Sequence, residues 1–197
     1  MVSASELMTD PTGVQGLDDP DAFCAAWAAY AGSLQAIAVA QGFGDLSTLE
    51  GARLEMIAAS SLGSAVNGIG ANWPAELNPE RSLALTALIG PYDRRAQKAR
   101  ELLREMGATD DDLEALADVW MRAMRTQDPN DPVPAISGLS PRLEDIVSRA
   151  AMKFDAQVTP FQLDPSLDVS AVATPLTDVY LADHCPDLAS SGVGDQL

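Results

Sequence analysis

The stretch from Asp19 to Gln41, DPDAFCAAWAAYAGSLQAIAVAQ, constrains this chain more than any other. Phe23, Trp27, Tyr30, Leu34 and Ile37 recur in it at three- and four-residue spacing. That period puts them on one face of a helix, and the Ala and Gly between them let a neighbouring helix come close. Asp19 followed by Pro20 predicts the start. An aspartate carboxylate accepts an orphan backbone N–H, and proline's missing donor is not needed in the first turn. Residues 22–40 carry no charge and are long enough to cross a membrane. Against a span, they are mostly Ala and Gly, are interrupted by Ser33 and Gln35, and are flanked by Asp rather than Lys or Arg. The segment reads as the buried helix of a bundle and not as a transmembrane helix.

Further helices follow by the same reasoning. Residues 1–18 scatter Gly and Pro among polar residues and predict a flexible or loosely packed arm. Past Gly42 and Gly44, a second helix runs from Ser47 or Thr48 to Asn72 with Leu49, Met56, Ile57, Leu62, Val66 and Ile69 inward. Its small residues Ala59, Gly63 and Asn67, spaced by four, predict a close approach to the Ala face of the first helix. Asn78-Pro79 starts a third helix, to Ile89, by the cap-plus-proline device. Gly90-Pro91 predicts a stop and restart or a sharp kink, since an internal proline loses a hydrogen bond and clashes with the preceding turn. The continuation, Tyr92 to Met106, ends at Gly107. Thr109 with Asp110, Asp111 and Asp112 opens the next helix, its buried stripe being Leu113, Leu116, Ala117, Trp120 and Met124. Residues 126–139 predict a loop. Ser140-Pro141 opens a helix with Leu143, Ile146, Val147, Ala150 and Phe154 inward. Residues 160–173 are irregular, and Thr174-Pro175 starts a short last helix, Leu176 to about Asp183. No alternation of useful length suggests a strand. The expectation is an all-α, single-domain helical bundle of about six helices over residues 19–185, with 186–197 as a tail.

The two cysteines are the sharpest pointer to biology. Cys24 sits in the first turn of the first helix and Cys185 just beyond the last, both good places to pin a chain end. A Cys24–Cys185 disulfide would tie the first helix to the end of the chain, and such a bridge persists only in an oxidising compartment. The alternative is a pair of free thiols in a cytosolic protein, where buried Cys behaves as a small hydrophobe.

Charge narrows the partners. The formal net charge is −17, and all twelve basic residues fall between Arg53 and Lys153. Phosphate backbones and anionic membrane surfaces would repel such a chain, so nucleic acid is excluded as a partner. Candidate chemistry is sparse. The single histidine, His184, adjoins Cys185, and a Cys–His nucleophile would need contact, an orienting group and an oxyanion site. His184 reads instead as a surface residue at the negative end of the last helix. One His and two Cys make no zinc site without carboxylates. Asp110, Asp111, Asp112 and Glu114 read as helix-dipole partners, and Asp128 and Asp131 as turn residues. Arg94, Arg95, Lys98, Arg100 and Arg104 do not converge at helical spacing and read as a mixed-charge solvent face. No metal and no cofactor is expected.

The segments DAFCAAWAAY and TPLTDVYLADHCPDL together resemble exported, often lipid-anchored, all-helical proteins of high-GC Gram-positive bacteria. The resemblance implies a first-helix Cys paired with one near the C-terminus. It also implies an extracytoplasmic location, secreted or membrane-anchored, with any signal peptide or lipid anchor removed. The leading expectation is a non-enzymatic binding module for a protein, a cell-envelope component or a small ligand. Two alternatives stand beside it: an enzyme whose acid and base are carboxylates on facing helices, and an intracellular scaffold or oligomerisation subunit.

Overall fold

The computed structural model describes residues 13–128 and 130–190 and is all-α, without a strand among them. Its eight helices are α1 (Ala22–Phe43), α2 (Thr48–Ala71), α3 (Asn78–Leu83), α4 (Gly90–Glu105), α5 (Asp110–Arg125), α6 (Pro141–Gln157), α7 (Pro175–His184) and α8 (Pro186–Ser190). The first twelve residues of the expected arm and residues 191–197 of the expected tail lie outside the described residues.

The hub is α2 rather than α1. It packs against α1, α4, α5 and α6, and every residue from Leu54 to Gly63 is buried. A helix buried all round belongs at the centre of a bundle, and the uncharged run Met56–Gly63 permits it. A capping box starts it: the Ser47 hydroxyl accepts from the Glu50 N–H, and the Glu50 carboxylate accepts from the Ser47 N–H at 2.8 Å. Leu49, expected inward, is 40% exposed; Thr48 and Glu50 beside it are exposed too, and burial begins only at Gly51.

Helix α1 begins two residues later than Asp19-Pro20 predicts. Its cap is Asp21, whose carboxylate accepts from the Phe23 and Cys24 N–H groups at 2.8 and 3.0 Å. Asp19 instead accepts from the Asp21 N–H at 2.8 Å, a local turn that delivers the true cap. Phe23, Trp27, Tyr30, Leu34 and Ile37 are all buried as the spacing requires. By length and composition α1 could cross a membrane, yet 56% of its most apolar window is buried inside the bundle. Ser33, which interrupts the apolar run, accepts from the Trp120 indole N–H at 2.8 Å and donates to the Ala29 carbonyl at 2.6 Å. A fully buried indole on α5 is thereby satisfied.

The break at Gly90-Pro91 takes a specific form. One π-turn, Ala84–Leu88, joins α3 to α4, with the Ile89 N–H reaching back to the Ala84 carbonyl at 2.9 Å. Widening the helix by one residue accommodates the proline without ending the rod. Asn78 is not a cap: the turn Ala75–Leu77 feeds straight into α3, and Asn78 is already helical. At the far end of α4, Gly107 (φ 98°) closes a Schellman motif, with the Ala108 N–H on the Leu103 carbonyl and the Gly107 N–H on that of Arg104.

Residues 13–18 are fixed rather than loosely packed. The Gly13 and Val14 N–H groups donate to the Gln127 and Met124 carbonyls at 2.9 Å, and Leu17 is buried. Likewise, the described start of the tail is helical, and Leu188 returns to the core.

Candidate functional site

Cys24 and Cys185 form the disulfide, with 5.5 Å between their Cα atoms, and both are buried. Oxidised together, they offer no thiolate nucleophile. His184 stacks on Tyr180 with ring centroids 4.1 Å apart and directs Nδ1 at the Tyr180 carbonyl, 3.2 Å away. Asp128 and Asp131 close local turns onto the Asn130 and Val133 N–H groups. Asp112 completes a capping box with Thr109 and binds Arg142 at 2.7 Å. The Arg142 hydrogen bond first, and the Thr109 N–H next, hold its carboxyl well below the usual range. Among the described residues, no three His, Cys, Asp or Glu side chains are placed to hold a metal.

The basic run on α4 is where the structure departs most from its sequence pattern. Arg95 is buried, not on a solvent face. Its guanidinium grips Glu55 of α2 through Nε and, at 3.0 Å, through Nη2, while Nη1 holds Asp164 at 3.0 Å. Gln41 of α1 donates to the same Glu55 at 3.1 Å. The guanidinium carbon lies 5.1 Å from the Phe154 ring centre and 5.6 Å from that of Phe161, within cation–π range. Arg100 is also largely withdrawn: it donates to the Ala59 carbonyl at 2.7 Å and lies over Gly63. The small residues of α2 therefore make room for an arginine of α4. Where α2 does meet α1 closely, Gly68 faces Ala26.

Asp164 and Phe161 belong to a strap, residues 159–169, which carries only two single turns, Phe161–Leu163 and Pro165–Leu167. It crosses the outer side of α1 and α4. Gln162 donates to the Ala38 carbonyl at 3.0 Å, and the Tyr92 hydroxyl donates to the Leu167 carbonyl at 2.9 Å. The Phe161 ring packs on Tyr92 at 5.9 Å. Beneath the strap is a cavity of about 10 Å³, room for one water, whose apolar wall is Leu34, Ile37, Leu62, Ala96 and Ala99. Glu55, Tyr92, Arg95 and Phe161 complete it. Partial burial opposes the charge on Asp164, yet its bonds from Ser166 and from Arg95 outweigh that and lower its pKa. Tyr30, 2% exposed and edge-on to Tyr92, has a hydroxyl without a hydrogen-bond partner. The cavity is thus a small, mainly apolar void with the Arg95–Glu55 pair and the Tyr92 phenol in its lining.

A second polar constellation missed by sequence reasoning is Glu80. Thr174 makes no side-chain cap for α7. Glu80 of α3 does so from outside, accepting from the Leu176 N–H, the Thr177 N–H and the Thr177 hydroxyl, each at 2.9 Å. Both of its oxygens are committed to that task. No local spacing signals either constellation, because each joins residues dozens of positions apart. Compared with family models, curated proteins and solved structures, the chain matches none of them.

Proposed function

We propose that this protein is an extracytoplasmic helical-bundle module that binds rather than catalyses. The single observation supporting its location is the buried Cys24–Cys185 bridge, which joins the ends of the fold across 161 residues. Such bonds are made and kept outside the reducing cytosol. Its role rests on how the charged groups are used. Asp112 and Glu80 serve as caps, and Arg95 and Glu55 neutralise one another; the strap over the small cavity is the ligand face in this reading. The partner is a small ligand, a protein or an envelope component meeting that face.

The test is intact mass of protein from its native host, with thiols trapped at lysis. A mass two hydrogens short, with no alkylation before reduction, is the expected result. Alkylation of both cysteines without a reductant would overturn the exported reading.

A further inference from the structure

We propose that the strap is an internal stand-in for an exogenous ligand. Asp164 and Phe161 fill the carboxylate and apolar positions of a site for a small monoanionic carboxylate, an aryl- or alkyl-alkanoate, which Arg95 takes up when the strap lifts. The inference rests on the binding-module reading and names its ligand class.

Arg95 is already neutralised by Glu55, to which it is doubly bonded deep in the bundle. Its remaining nitrogen, Nη1, faces outward and holds the more exposed carboxylate: the Asp164 side chain is 17% exposed against 7% for Glu55. The second carboxylate gives the cluster a net negative charge, which balancing one buried cation does not require. Exchange of Asp164 for a ligand carboxylate leaves that balance unchanged. Withdrawal of Phe161 adds its ring volume to the cavity lined by Leu34, Ile37, Leu62, Ala96 and Ala99, and Phe154 stays behind on α6 beneath the guanidinium. Tyr92, released from the Leu167 carbonyl, presents its hydroxyl as a second donor. The chain's charge of −17 favours a monoanion over a dianion such as phosphate. The strap has no helix of its own beyond single turns. The contacts it must release to lift are those at Ala38, Tyr92 and Arg95, while the helices around the cavity pack on one another without it.

Calorimetric titration of the full chain with 3-phenylpropanoate and with its neutral amide tests this. The variant carrying Phe161→Ala and Asp164→Ala should bind the acid about tenfold or more tighter than the wild type, because affinity is no longer divided by the open fraction of the strap. The amide should bind at least about tenfold more weakly than the acid, having lost the charge-assisted bond. A folded double variant that does not bind the acid at millimolar concentration, or that binds acid and amide alike, overturns the proposal. Should that variant lose its helical signal, Asp164→Asn keeps the strap's shape and removes its charge. The acid must then raise its Tm and the amide must not, or the proposal falls. A negative result with the disulfide intact in cells removes this ligand class and leaves the exported-module reading to its own mass test.

Discussion

Replacing Glu80 by alanine removes three hydrogen bonds from the first turn of α7 at once and orphans two backbone donors. Loss of a cap together with a buried unpaired donor, the Thr177 N–H, should cost about 2 kcal/mol in urea denaturation. Burial opposes the Glu80 charge, but the bonds from Leu176 and Thr177 more than offset it and its pKa falls below the usual value. Nearby, Asp178 is raised, by desolvation first and by the charge of Glu80 second. The two act with opposite sign. As pH falls from neutral, Asp178 is protonated more readily in the folded chain than in the unfolded one, so stability rises slightly. Below the ordinary glutamate range, the unfolded chain takes up the Glu80 proton first, and the stabilisation is lost as pH falls through the folded pKa. Stability measured against pH should show both limbs in the wild type. Asp178→Asn should remove the first and Glu80→Gln the second.

At the scale of the element, two glycines of α2 should behave differently though they look alike in sequence. A Cβ at Gly70 meets nothing within 4 Å, so Gly70→Ala should stabilise the protein by about 0.5–1 kcal/mol. At Gly63 the same Cβ would lie 1.9 Å from Arg100 Nη1, so the guanidinium must shift, which puts its bond to the Ala59 carbonyl at risk. A half-buried, charge-assisted hydrogen bond is worth about 1.5–3 kcal/mol, which matches or exceeds the helix-propensity gain. Gly63→Ala should therefore be neutral or destabilising, and the midpoints of urea unfolding should separate the two. The apolar stripes of α5 and α6 were legible because periodicity reports a face. It does not report which neighbour the face will meet. The row Ala59-Gly63 was legible as a place of close approach, while its occupant, Arg100, belongs to a helix some forty residues on.

For the whole molecule, the bridge closes a loop long enough that the chain-entropy model assigns it about 5 kcal/mol, with real bridges often giving less. Substituting Cys24→Ser together with Cys185→Ser should lower stability by about 3–5 kcal/mol in urea. The far-UV helical signal should largely persist, since α2 and the four helices packed on it do not depend on the bond. A variant losing no stability would show that the Glu80 cap and the Phe23–Tyr180 edge contact already hold the C-terminal segment.

The amino-acid sequence by itself determined the all-α class, the positions of the long helices to within a few residues and most of their buried stripes. It made a bond between the two chain ends the leading of two readings, which the structure then decided. The helices follow from short-range physics: periodicity, capping, and proline and glycine punctuation. Tertiary structure alone decided that α2 is the hub, that Arg95 is buried while Arg94 beside it is exposed, and that a strap bearing Phe161 and Asp164 lies over the cavity. An arginine's burial depends on whether carboxylates arrive to pay its desolvation, and those of Arg95 come from 40 and 69 residues away. No window of local sequence contains that information.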